Sequence, residues 1–148
     1  MLLLRLQTPN GRYVLDVTSV VEVIPFVHYT KVSHGPDFLS GVINFRGHPL
    51  PVLDLGLLID ATPCRERMNT RIILTRIALT ERKKLFFGII AEGVSGTLRL
   101  ERNYEESSEI LLQELTNPQE ADGQQLLQLL NMEKILGPER IAKLSAYC

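Results

Sequence analysis

Arg46 stands in an Asn44-Phe45-Arg46-Gly47 turn between two apolar runs, Gly41-Val42-Ile43 before it and Leu50-Pro51-Val52-Leu53 after it. A guanidinium at a hairpin tip is suited to a partner's carboxylate or carbonyls, because its planar fork binds them at two points. Asn44 and Gly47 are explained by the turn itself, which needs residues that accept unusual dihedral angles. A turn needs no arginine, so the identity of Arg46 has to come from solvation or from a partner. Glu22 lies among Val20, Val21, Val23 and Ile24. A carboxylate inside an apolar run is costly to bury unless something pairs with it. Arg46 is the natural candidate, and such a pair would fix the orientation of both groups. The alternative for Glu22 is the solvent side of an alternating strand.

Other residues with chemical potential fall short of a constellation. Gly93-Val94-Ser95-Gly96 has one residue too few for a G-x-S-x-G nucleophile elbow. No Walker-type phosphate loop and no G-x-G-x-x-G occurs. His28, His34 and His48, with Cys64 further on, lack the tight pairing of metal ligands, so they read as loop and turn residues and no metal site is expected. Glu105-Glu106 reads as a solvated face. Cys64 and Cys148 lie far apart and read as unpaired thiols of the cytosol, a single disulfide being the alternative.

The elements that must position these groups are short. Residues 2–7 read as a strand, and Asn10-Gly11 as a hairpin turn leading into a second strand at Tyr13-Val14-Leu15. Asp16 or Thr18 is placed to cap a short helical turn, and Glu22-Val23-Ile24 leads out to Pro25. Gly35-Pro36 breaks the following loop. Residues 38–45 and 50–53 form a second hairpin around Arg46-Gly47, and Asp54-Leu55 begins a short helix ending near Ile59. Residues 60–69 are polar and read as a linker between two halves. Residues 70–79 and 85–91 are strands joined by the charged loop Thr80-Glu81-Arg82-Lys83-Lys84, and residues 97–100 form another strand. Residues 110–115 and 124–130 are weaker strand candidates around a 117–123 loop, with helix an alternative for the glutamine-rich second segment. Gly137-Pro138 places proline where a helix can begin, and Ile141 and Leu144 give that helix an apolar stripe up to about residue 146. Many short strands with few, short helices predict an all-β fold built from barrels, with minor α.

Composition narrows the function. The 148 residues suit one domain or two small subdomains sharing a core, and 45% hydrophobic content is enough to form one. Sixteen Lys and Arg balance 17 Asp and Glu for a net charge of -1, which provides no global field to attract nucleic acid or anionic membrane. The absence of Trp argues against stacking platforms for single strands. No apolar run approaches the ~20 residues of a membrane span, and the Met1-Leu2-Leu3-Leu4-Arg5-Leu6 start lacks the features of a secretory signal. Direct membrane insertion and nucleic-acid binding are therefore not expected, and the chain reads as cytoplasmic.

Several blocks, in order over essentially the whole chain, resemble the CheW-like domain family of chemotaxis coupling proteins. Val20-Val21-Glu22-Val23-Ile24 is similar to its V-x-E-V/I element, and Gly41-Val42-Ile43-Asn44-Phe45-Arg46-Gly47 to G-V-x-N-L-R-G. Pro51-Val52-Leu53-Asp54-Leu55 matches P-V-x-D-L, and Gly88-Ile89-Ile90-Ala91-Glu92-Gly93-Val94 looks like G-L-x-V-D-x-V. Leu130-Asn131-Met132-Glu133-Lys134-Ile135-Leu136 looks like the closing element before the last helix. The chain departs from the pattern at Phe45 for Leu, at His48-Pro49, at Gly56 where Arg or Lys is common, and at Glu92 for Asp. Arg71 and Thr97 stand where the family often has apolar residues near partner surfaces.

The resemblance implies two intertwined SH3-like five-stranded β-barrel subdomains, with short helices and a C-terminal helix, packed over a hydrophobic core. Residues 1–148 are expected to form a single domain, with residues 1–60 plus the C-terminal strand and helix as roughly one subdomain and 70–130 as the other. It also implies a non-enzymatic, stand-alone adaptor without cofactor, joining a chemoreceptor's cytoplasmic tip to the regulatory domain of a chemotaxis-type histidine kinase. Carried over by position, Val20, Glu22, Arg46 and Gly47 are expected partner-binding residues, and Asn44, Arg71 and Thr97 are counted with them. The same adaptor in a pilus-motility or other chemosensory pathway is the second reading. A small ligand-binding barrel is the third, and it would need a concave pocket with convergent polar groups.

Overall fold

The computed structural model describes residues 1–99, 111–114 and 125–147. The expectations for Glu105-Glu106, the 117–123 loop and Cys148 fall outside these residues. The elements follow the order β1 Leu2–Thr8, β2 Gly11–Asp16, a 3-10 turn Val17–Ser19, β3 Val20–Pro25, β4 Leu39–Phe45, β5 His48–Asp54 and α1 Leu55–Asp60. They continue with β6 Arg71–Ala78, β7 Lys84–Ala91, β8 Thr97–Arg99, β9 Leu111–Glu114, β10 Gln125–Leu129 and α2 Met132–Ser145.

The strands form two five-stranded sheets, β8-β1-β2-β10-β9 and β3-β6-β7-β5-β4. This sheet membership corrects the expected division of the chain at residue 60. Only β1 and β2 of the first half join the C-terminal strands, whereas β3, β4 and β5 belong with β6 and β7. The physical reason is pairing. β2 accepts β10 alongside it in parallel, Gln128 facing Tyr13 and Leu129 facing Val14, while β5 lies parallel to β7. The glutamine-rich segment is thus a strand, and Leu127 is buried behind it with Leu3 and Val14.

In the second sheet β3 and β4 occupy opposite ends of the strand order. The chain beyond β3 nevertheless returns to β4, where Thr30 and Val42 exchange two backbone hydrogen bonds of 2.9 and 2.8 Å. That bridge rolls the sheet into a closed barrel and leaves fewer free strand edges. A second isolated bridge, between Gln7 and Glu92, ties β1 to the end of β7 and so joins the two sheets.

Side-chain alternation explains why several strands are continuously apolar. In β6, Ile72 and Leu74 point into the second barrel with Ile43, Leu50, Val52 and Ile90. Ile73 and Ile77 point the other way, into a larger core shared by both sheets. That core takes Leu4, Leu6, Tyr13 and Leu15 from the first sheet and Leu85, Phe87 and Ile89 from the second. A strand buried on both faces loses the polar half of its period-two pattern. Leu136 and fully buried Leu144 dock α2 on the same core. Within α2, Gly137 leaves the helical region (φ 75, ψ 163), so Pro138 opens a second helical stretch as the Gly-Pro pair predicts. Asp16, rather than Thr18, caps the 3-10 turn by accepting from the Thr18 amide at 3.0 Å.

Candidate functional site

The β4–β5 turn has two central residues, Arg46 and Gly47, since Phe45 pairs with His48. Both have positive φ, 51° and 84°. This is the mirror-image turn whose twist matches the flanking strands. The structure corrects the reading of Asn44, which does not carry the unusual dihedral. Asn44 stays in β4, and its side-chain oxygen accepts the Gly47 amide at 2.9 Å, clamping the turn. The strained position falls to Arg46 itself.

Arg46 reaches across the barrel seam to Glu22 on β3. Its Nη2 lies 3.1 Å from Oε2 and 3.4 Å from Oε1 of that carboxylate. Both contacts leave from one nitrogen, so among the described residues Nε and Nη1 remain outside the pair. The guanidinium also stacks over the Phe45 ring, 4.8 Å from its centre. Arg46 is 73% exposed and Glu22 38%, so the pair is a surface feature that contributes about 0–1 kcal/mol to folding.

The alternation of β3 is inverted relative to the sequence alternative of a solvent-facing Glu22. Val20, Glu22 and Ile24 are the half-buried residues, while Val21 and Val23 point outward and are exposed. A bulge between Val20 and Glu22 accompanies this arrangement. An acid turned toward the barrel and two valines turned toward solvent make β3 an apolar edge with one fixed charge.

Of the expected partner-binding residues, the fold therefore gathers Glu22, Asn44, Arg46 and Gly47, while Val20, beyond the bulge, packs against the core shared by both sheets. Arg71 and Thr97 stand apart. Arg71 pairs with Pro25 at the far end of β3, and its Nη1 donates to the Met68 and Thr70 carbonyls at 2.6 and 2.9 Å. Thr97 lies on β8, an edge of the other sheet, opposite Leu4. No hydrogen bond among the described residues links either to the Glu22–Arg46 pair.

One cluster was not expected. Glu92 is buried, and its carboxylate accepts from the Arg65 amide and from Arg65 Nε, both at 3.1 Å, with Arg67 Nε at 3.6 Å. The only signal for it in the sequence is an acid closing the apolar run of β7, with two arginines in the preceding polar segment. Asp54 is a second such anchor. It caps α1 through the Leu57 amide, and both its oxygens accept the Cys64 amide at 3.1 Å. Burial, with the Asp54 carboxylate alongside, pushes the Cys64 thiol up to about 12, which makes it an unreactive neutral group. Among the described residues no three His, Cys, Asp or Glu side chains are placed to hold a metal ion, and no helix is long and apolar enough to cross a membrane.

Comparisons with known proteins place the chain in a family. The family model for the CheW-like domain matches residues 1–140. A protein of Klebsiella aerogenes named chemotaxis protein CheW is 29% identical over 137 residues, covering 90% of this chain and 80% of that protein. The Helicobacter pylori chemotaxis protein CheW is 25% identical over 67 residues, 45% of this chain and 41% of its own. The crystal structure of the scaffolding protein TtCheW from Thermoanaerobacter tengcongensis superposes with a TM-score of 0.68 at 21% identity, covering 94% of this chain and 89% of that one. Its two β-barrel-like subdomains are the same architecture.

Proposed function

We propose, from the premise that this chain belongs to the CheW-like domain family, that the Glu22–Arg46 seam and the exposed valines of β3 form its docking surface for a chemoreceptor's cytoplasmic tip. The chain is a non-enzymatic chemotaxis scaffold that couples receptors to a histidine kinase. It acts in the cytoplasm, and the regulatory domain of the kinase occupies a separate surface.

The observation that carries the reading is the division of labour within one guanidinium. Nη2 is spent on Glu22, which fixes the side chain, while Nε and Nη1 stay outside that pair in a side chain that is 73% exposed, ready for carbonyls or a carboxylate of a partner. Val21 and Val23 supply apolar area beside it. A scaffold needs a rigid body with separate patches of modest area, so that assemblies form and remodel. Signal passes if the scaffold's contacts differ between kinase-on and kinase-off states.

A ternary pull-down tests the proposal. The immobilised chain is offered a receptor tip fragment and a kinase regulatory domain, separately and together. Retention of both at once is the expected result. Retention of neither, or displacement of one by the other, contradicts it.

A further inference from the structure

A second recognition element lies away from the Glu22–Arg46 pair, where the 3-10 turn meets the β6–β7 hairpin. Thr18, Ser19, Arg76, Ala78 and Lys84 line a shallow cleft of about 210 Å³. The register of the hairpin builds it. Ala78 pairs with Lys84 and Arg76 with Phe86, so all four side chains share one face and the two cations sit at diagonal positions. The small Ala78 opposite Lys84 leaves the space between them.

Arg76 gives one hydrogen bond, from Nη2 to the Thr18 carbonyl at 3.3 Å, and neither Arg76 nor Lys84 forms an ion pair with a carboxylate among the described residues. Asp16, the acid that precedes the lining turn, accepts the Thr18 amide as its cap. Residues 76 to 84 carry Arg76, Arg82, Lys83 and Lys84 against Glu81 alone, on a chain whose net charge is -1. The hairpin tip holds this charge in place, because Thr80 Oγ1 accepts the amides of Arg82 and Lys83 at 3.3 and 3.0 Å. Unpaired like charges on one face of a ladder destabilise it, and an incoming anion relieves the repulsion.

We infer that this cleft is a docking site for an acidic segment of a partner protein, with a carboxylate between Arg76 and Lys84 and an apolar neighbour on Phe86. Charge complementarity selects the acid. The apolar surface beside the cleft selects a protein segment over a lipid headgroup or free phosphate, since Phe86, opposite Arg76, is 43% exposed on the same face and Ala78 offers no donor. Attraction of this kind sets encounter rate and specificity more than it sets affinity.

Fluorescence anisotropy tests the inference with a fluorescein-labelled peptide of alternating Glu and Leu as the probe. Binding is expected, with affinity falling as salt is raised. The Arg76→Glu/Lys84→Glu variant is expected to weaken binding at least about tenfold. The neutral Arg76→Gln/Lys84→Gln pair provides the same comparison should reversal disturb folding, and both are checked by thermal melting. Inorganic phosphate and vesicles containing phosphatidylglycerol serve as the competing anions. No binding of the peptide, unchanged affinity in the variants, or a preference for the vesicles or phosphate overturns the inference.

Discussion

Arg65 and Glu92 meet at 3.1 Å where the polar 61–70 segment crosses the end of β7, and the carboxylate is only 4% exposed while the guanidinium is about half exposed. The same carboxylate receives the Arg65 amide, and the Glu92 backbone bonds Gln7 of the other sheet. One side chain thus fastens the connecting segment at the point where the two sheets touch.

Removing that carboxylate leaves a buried amide without its acceptor and frees the segment. Glu92→Ala is expected to lower stability by about 3 kcal/mol, read from urea unfolding. A loss below about 1 kcal/mol would show the site to behave as an ordinary exposed ion pair.

Two glycines separate backbone strain from crowding. Gly47 has φ of +84° with open space around it, so Gly47→Ala costs the left-handed backbone alone, about 1 kcal/mol. At Gly56 an added Cβ meets the Thr62 carbonyl oxygen, which is backbone and has no rotamer to escape into. Gly56→Ala is expected to cost about 2–3 kcal/mol. Thermal melting ranks the two, and the reverse order would contradict the close approach of the Thr62 carbonyl to Gly56.

The Cys64 thiol gives a pH signature. Its ordinary value of 9.0 is raised to about 12 in the fold, first by burial and then by Asp54. A raised acid holds its proton in the folded state where the unfolded chain loses it. Stability from this group is therefore full below about 9 and is lost as pH rises from there through about 12. In a Cys148→Ser background, iodoacetamide at pH 8 is expected to alkylate the folded protein at least about tenfold more slowly than the urea-unfolded chain. Equal rates would mean that the thiol is neither buried nor raised.

The legible parts of this chain are those fixed by local chemistry. Arg46-Gly47 and Gly137-Pro138 force a turn and a helix boundary where the residue types place them. The first hairpin, by contrast, turns one residue earlier than Asn10-Gly11, through Pro9-Asn10, with Gly11 already paired to Thr8 in β2 and neither Asn10 nor Gly11 at positive φ. The Glu22–Arg46 pair was legible because an acid in an apolar run needs a partner. Sheet membership was not, since β2 with β10 and β5 with β7 are parallel pairings between segments distant in sequence, set by barrel closure rather than by any turn. The anchoring of residues 61–70 was hidden as well. Polar linkers read as solvated, and only the fold brings Arg65 and Arg67 onto Glu92 and the Cys64 amide onto Asp54. Asn44 shows a subtler limit: the residue type signalled the turn, but its side chain holds the turn while Arg46 takes the positive φ.

The account rests on Arg46 serving a partner more than the fold, and calorimetry against a chemoreceptor cytoplasmic tip measures that directly. Arg46→Ala and Arg46→Lys should each remain folded, within about 1 kcal/mol of the parent stability. Both should lose more than about 1 kcal/mol of binding, the lysine because it lacks the planar fork. Parent-level binding by both variants would contradict the role assigned to this arginine.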